Sequence, residues 1–176
     1  IYNLESHGSL HQQLSQNPNY VSSEFFGQEH TSGTILNGVR HEDAQNLSFD
    51  DASFDLVVSS DVWEHIPDPY CAHAEIFRVL RPGGHHLFTV PFYQADFLDE
   101  TRASIDPAGG IVYHEEPLYH LDPLRPEGVL VFKIFSIEML PQLARIGFHT
   151  KVNKLYSPFH GIFGNNAIVF DAVKCT

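Results

Sequence analysis

Apolar residues along this chain fall into short runs separated by polar turns. Ile1–Leu4 and Tyr20–Phe26 read as strands, and Thr34–His41, with Ile35, Leu36 and Val39, as a weaker third. Between the first two, His7–Ser15 carries Leu10 and Leu14 at helical spacing. Phe54–Ser59 holds Leu56, Val57 and Val58 in succession, the pattern of a strand buried on both faces. Asp68 is a good N-cap and Pro69 suits the first position of the helix behind it. Ala72, Ile76, Val79 and Leu80 line one face of that helix. Pro82-Gly83-Gly84 closes it, and His85–Val90 is a fifth strand. Residues 93–135 lose the rhythm. With Pro107, Pro117, Pro123, Pro126 and Gly109-Gly110, they read as a long insert without clear periodicity, of the kind used as functional lids. Helix returns over Ser136–Ile146, its regular part delayed by Pro141 and stopped by Gly147. Lys151–Tyr156 and Ala167–Val173 are the last two strands, an antiparallel pair around a loop containing Gly161 and Gly164.

Strands alternating with helices predict an α/β fold. Its seven-stranded sheet is mostly parallel, with an antiparallel last strand and helices on both faces. A length of 176 residues fits a single domain over 1–176, with the insert at about 93–135. The chain opens at Ile1, and Met139 is its only methionine, so a segment ahead of the first strand is expected to be missing. Acidic residues outnumber basic ones 22 to 10, a net charge of −12 that argues against nucleic acid or an anionic membrane as partner. Cys71 and Cys175 have no metal or redox spacing, and no signal peptide is visible, so a reducing cytoplasm is the expected location.

Sheets of this kind bind ligands beyond the carboxyl ends of their strands. There the sequence places Glu5-Ser6-His7-Gly8, then Glu24, then His41-Glu42-Asp43, and then Ser59-Ser60-Asp61 running on to Trp63-Glu64-His65. An acid after the second strand is suited to ribose hydroxyls, and an acid after the third to an exocyclic amine. Together they describe an adenosine pocket. A nicotinamide dehydrogenase would need a Gly-x-Gly-x-x-Gly turn and a hydrolase a Gly-x-Ser-x-Gly elbow; neither occurs.

The segments Asp43–Phe49, Ala52–Asp68 and Arg78-Val79-Leu80-Arg81-Pro82-Gly83-Gly84 resemble the middle of a Rossmann-like class I S-adenosylmethionine-dependent methyltransferase. The likeness is to small-molecule enzymes of the quinone-biosynthesis type and to relatives found near glycosyltransferases. The resemblance implies that Glu24 binds the ribose hydroxyls. It implies that Asp43 and the Ala44 N–H meet the adenine, and that Ser60 lines the methionine part. Trp63, Glu64 and His65 would lie beside the transferred methyl. In the family the first strand enters an acidic, glycine-rich turn. Here Glu5 supplies the acid and Gly8 is the single glycine.

The cofactor implied is S-adenosylmethionine, with S-adenosylhomocysteine as product, and the acceptor a small molecule or sugar methylated on oxygen. A hydroxyl acceptor benefits from a general base, for which His65 is the first candidate and His120 the second. Trp63 is a substrate-side candidate that offers a cation–π face beside the sulfonium. Tyr119, with Tyr93 and Tyr113, is a candidate to stack on the acceptor, and Arg40 and Arg125 are candidates to clamp an acidic one. No metal is expected, although Asp61, Glu64 and His65 offer a possible metal triad. The competing reading, favoured by the glycine-poor turn, is a methyltransferase-like domain that binds without catalysing.

Overall fold

The computed structural model describes residues 1–122, 125–163 and 167–175; Pro123 of the insert and Gly164 of the last loop lie outside the described residues. Strand β1 (Tyr2–Asn3) leads into helix α1 (Gly8–Leu14) and strand β2 (Val21–Ser22). Strands β3 (Ile35–Leu36), β4 (Val39–Arg40) and β5 (Phe54–Ser60), helix α2 (Pro69–Val79) and strand β6 (Leu80–Thr89) follow. The insert holds β7 (Phe92–Tyr93), β8 (Glu100–Thr101), β9 (Ala103–Ile105), β10 (Ile111–Tyr113), β11 (Tyr119–Asp122), β12 (Arg125–Leu130) and β13 (Lys133–Ser136). Helix α3 (Met139–Ile146) and strands β14 (Phe148–Lys154) and β15 (Ile168–Lys174) complete the fold.

The central sheet has the order β14-β15-β6-β5-β1-β2. Strands β2, β1, β5 and β6 run parallel, and β15 lies antiparallel between β6 and β14. The α/β class, the parallel interior and the antiparallel last strand therefore match the expectation. The outermost position differs. Thr34–His41 is no single strand but the β3–β4 hairpin, turning on Asn37 and Gly38, both at positive φ. Asn-Gly is the dipeptide that two-residue hairpin turns favour. Only His41 reaches the sheet, through one parallel bridge to Glu24. Among the described residues the sheet thus has six strands and a single residue where a seventh would lie.

Helix α2 forms as its sequence demands. The Cys71 N–H donates to the Asp68 Oδ1 at 3.0 Å, and Ala72, Ile76 and Val79 are buried. At its far end, Lys174 Nζ donates to the carbonyls of Phe77 (2.7 Å) and Leu80 (2.8 Å), which the helix itself leaves unpaired. Arg78 of the quoted motif is structural. Its guanidinium donates to the Leu47 and Phe49 carbonyls and to Asp51 and Glu75, holding residues 47–51 against α2. Helix α3 starts at Met139, so Pro141 falls in the first turn, where its missing N–H is not needed. Gly147 stops the helix at φ 120°; a Cβ there would meet the Phe77 ring at 2.8 Å. Right-handed crossovers put α1 and α2 on opposite faces of the sheet, but α1 buries none of its residues.

The insert is more regular than expected. It forms the hairpins β9–β10 and β11–β12 and a small sheet β7-β13-β8, with Ala103, Leu130 and Phe132 as its own core. Its strands are short and leave Ile111, Val112, Tyr113 and Tyr119 exposed, so no apolar alternation marks them in the sequence.

Under α2 lies an unusual cluster. Trp63 is fully buried, stacks on His73 at 3.8 Å between ring centroids, and lies edge-on to His86 at 5.0 Å. Among the described residues, neither ring nitrogen of His73 or of His86 has a hydrogen-bond partner. Burial holds both imidazoles neutral, His86 down to about 3. An unfolded histidine takes up a proton near pH 6.5, so between these values the unfolded chain binds more protons. Each such group then lowers stability as pH falls, by up to about 1.4 kcal/mol per pH unit. His86→Leu should flatten the loss of stability between about pH 6.5 and 3 in denaturant titrations. A slope equal to the parent's would show that His86 is not held neutral.

Candidate functional site

Parallel pairing sets the site. Tyr2 is in register with Val21 and Val57, and Asn3 with Ser22 and Val58. Two residues further along each chain, at the carboxyl ends of the strands, stand Glu5, Glu24 and Ser60. The Ser60 N–H donates to the Glu5 Oε2 at 2.9 Å, joining the ends of β1 and β5. Burial raises the Glu5 carboxyl above its ordinary value. Glu24 is buried, and its Oε2 accepts from Ser6 Oγ at 3.2 Å and lies 3.5 Å from His7 Nδ1. Ser6 and His7 occupy the turn where a glycine-rich loop would leave room, and their side chains reach the acid across it. Gly8, at φ 80°, starts α1 beside this turn and does not line the cavity.

The bridge between Glu24 and His41 brings Asp43 alongside. Its N–H donates to Ser32 Oγ at 2.9 Å, and its Oδ1 accepts from the Gln45 N–H at 2.9 Å. Fully buried His41 fixes the approach: its Nδ1 accepts from the Phe26 N–H and its Nε2 donates to the His30 carbonyl, both at 3.1 Å. Glu5, Glu24, Asp43, Ala44 and Ser60 all line one cavity of about 590 Å³. Its opposite wall comes from the insert, including Ile105, Ile111, Leu121, Leu130 and Phe132.

Of the acceptor-side candidates, the structure brings His65 to this cavity and sets His120 beside it. The rings of His65 and His120 are edge-on at 5.1 Å. His65 Nδ1 donates to the Leu130 carbonyl at 2.8 Å, and the Phe132 N–H donates to the Glu64 carbonyl at 2.7 Å. These two bonds dock the insert on the turn Trp63–His65. Burial keeps the His65 imidazole less basic than usual and pushes the Glu64 carboxyl up to about 8. Trp63 corrects the expectation: its ring faces the core, its Nε1 donates to Ser59 Oγ at 2.9 Å, and it is not part of the cavity. Tyr119 is exposed beside Tyr113 and also lies outside the cavity wall. Arg40 is spent on Glu42 and Ser48. Arg125 bonds Asp122 and the Phe25 carbonyl, linking the insert to the loop after β2. Sequence reasoning missed that link, and it missed the use of Ser6 and His7; only their position in the first turn pointed to them.

The model of a methyltransferase domain matches residues 13–88. That match covers less than half of the chain, and the fold is the one seen in solved S-adenosylmethionine-dependent methyltransferase structures. A probable S-adenosylmethionine-dependent methyltransferase of Mycolicibacterium smegmatis is 45% identical over 53 residues, 30% of this chain and 21% of the relative. The demethylmenaquinone methyltransferase of Staphylococcus epidermidis is 50% identical over 44 residues, 25% of this chain and 18% of the relative. The matched stretch thus spans about a fifth of the length of these curated relatives. Among solved structures, the 1,6-didemethyltoxoflavin-N1-methyltransferase of Burkholderia thailandensis, with bound 1,6-didemethyltoxoflavin and S-adenosylhomocysteine, has a TM-score of 0.58 at 16% identity. That likeness covers 99% of this chain and 70% of the other.

The β11–β12 hairpin carries His120 and Leu130 to the cavity region, and its register shifts between His120 and Asp122. Gly128 permits the shift at φ 79°; a Cβ there would lie 2.6 Å from the His120 carbonyl oxygen. Gly128→Ala should therefore strain the hairpin by roughly 1–3 kcal/mol. Amide exchange should quicken at 119–122 and 125–131 while α2 and β6 stay protected. Unchanged protection of the hairpin would show that the extra carbon is accommodated.

Proposed function

We propose that the chain transfers a methyl group from S-adenosylmethionine to a small-molecule acceptor. The observation that carries this reading is the single cavity at the carboxyl ends of β1, β2 and β5, lined by Glu5, Glu24, Asp43, Ala44 and Ser60. The residues present fit the cofactor. Glu24 is a buried carboxylate at the end of β2, which suits two ribose hydroxyls, and Asp43 and Ala44 line the same cavity, which suits an adenine edge. Glu5, Glu24, Asp43 and Asp61 give the cavity a negative field suited to a cationic sulfonium. When bound, the cofactor supplies an activated methyl group. The protein aligns the nucleophile with it and excludes water.

The acceptor side is the region of His65, with His120 beside it and the insert as cover. A sugar or other hydroxyl acceptor fits an imidazole at that wall, since methylation of oxygen gains from proton removal. Cys71 and Cys175 are free thiols, which suits a reducing cytoplasm; separately, no helix among the described residues is long and apolar enough to cross a membrane.

A second reading, a domain that binds without catalysing, has one observation in its favour: Ser6 and His7 already engage the Glu24 carboxylate from the first turn. Binding of the demethylated cofactor addresses the first reading directly. Calorimetry should give a dissociation constant in the micromolar range. Removing a hydrogen bond to a charged group costs about 1.5–3 kcal/mol, so Glu24→Ala and Asp43→Ala should each weaken binding roughly 10- to 150-fold. Absence of binding to the folded parent protein would overturn the proposal. Binding without methyl transfer to any hydroxyl or amine acceptor in a screen would favour the second reading.

A further inference from the structure

We propose that Glu64, His65 and His120 form a site for one divalent transition-metal ion, of the zinc or cobalt type, where the cavity meets the insert. The three side chains come from two distant segments, the turn after β5 and strand β11, and one ligand atom from each lies within 4.8 Å of the others. Glu64 Oε1 is 3.4 Å from His120 Nδ1 and 3.8 Å from His65 Nε2. Ligand atoms of a tetrahedral zinc site, with bonds of about 2.0–2.2 Å, stand about 3.3–3.6 Å apart. The two spacings measured against Glu64 therefore need only small adjustments.

A second observation points to a cation. Glu64 is 1% exposed, and among the described residues neither of its carboxylate oxygens has a hydrogen-bond partner. An orphaned buried carboxylate is costly unless a positive charge meets it. His65 is already oriented as a ligand, because its Nδ1 proton is committed to the Leu130 carbonyl at 2.8 Å and its Nε2 lone pair faces Glu64. A second hydrogen bond of this kind is what metal-ligating histidines use to fix the ring. Three electron-pair donors thus converge, and a metal ion satisfies all of them at once. Two imidazoles and a carboxylate suit zinc, cobalt or iron(II) better than magnesium or calcium, which prefer all-oxygen sets.

The ligand set differs from the run Asp61, Glu64 and His65. Asp61 falls outside the cluster, and His120 of the insert takes its place. Three protein ligands leave a fourth position open. If the methyltransferase reading holds, that position would take an acceptor oxygen and make its proton easier to lose. His65 would then hold the ion rather than accept the proton itself. Binding of the cation does not depend on that reading.

The test uses the whole untagged chain, stripped of metal with a chelator and dialysed, and titrated with Co²⁺ alone at pH 7.5. One equivalent should bind and produce the visible absorption bands of a four- or five-coordinate ion, and Zn²⁺ should abolish them. Glu64→Gln, nearly the same shape without the charge, and His120→Ala, at a partly exposed position, should each weaken binding about 100-fold or more, beyond the roughly 10–100-fold lost when a residue that only orients a ligand is changed. Asp61→Asn, which removes a nearby charge but no ligand atom, should weaken it less than about tenfold. Thermal unfolding and binding of S-adenosylhomocysteine, read on the same variants, separate loss of the ion from loss of the fold or of the cofactor site. No stoichiometric Co²⁺ spectrum, or a spectrum that survives both Glu64→Gln and His120→Ala, would overturn the proposal.

Discussion

Everything at the site depends on the parallel register of a two-residue strand. Tyr2 and Asn3 are the whole of β1, yet they pair with β2 on one side and β5 on the other. That register alone decides that Glu5, Glu24 and Ser60 end their strands at the same level. A slip of one residue would turn Tyr2, now stacked on Phe54 at 5.3 Å, out of the core and Glu5 away from the Ser60 amide. Such a short strand cannot hold its place by ladder bonds alone. Burial of Tyr2, whose hydroxyl meets Ser23 Oγ at 2.7 Å, and the Glu5–Ser60 bond fix it from both ends. Part of the framework and part of the cavity wall are therefore the same atoms.

The insert stands on the same logic from the other side. It has a small core of its own and is docked through the Trp63–His65 turn and through Arg125 to the loop after β2. The second contact spans 100 residues of sequence and meets the chain next to Glu24. Arg125 thereby ties the insert's wall of the cavity to the strand ends that form the other wall.

What could be read from the sequence follows the strength of each local signal. Helix α2 was legible to the residue at its start, because Asp68, Pro69 and an apolar stripe agree. Strands β5 and β6 were legible because continuous apolar runs imply burial on both faces. The acids after β1, β2 and β5 could be placed from the alternation of strands and helices alone. The third strand was misread because Ile35, Leu36 and Val39 carry a strand's composition while Asn37-Gly38 carries a hairpin's turn, and the turn prevailed. The insert was opaque because its strands are short and half exposed. Trp63 was misplaced because its neighbours Glu64 and His65 point to the site, whereas its own ring follows the opposite face of the turn into the core. His120 was nominated from composition, but its meeting with Glu64 is a tertiary event that no spacing encodes.

The position of β15 has a consequence for how the chain is made. It is the latest of the sheet's strands in sequence, yet it lies between β6 and β14 and not at an edge. During synthesis the whole parallel half can assemble while the free side of β6 remains an unpaired, apolar margin, with Phe88 uncovered until Phe170 arrives to stack on it at 5.0 Å. The helix end that Lys174 holds also waits for this strand. Closure is thus a late, long-range step. In the interval the nascent chain presents the kind of open strand edge that invites pairing with another copy, so this domain is expected to lean on chaperones more than its length would suggest.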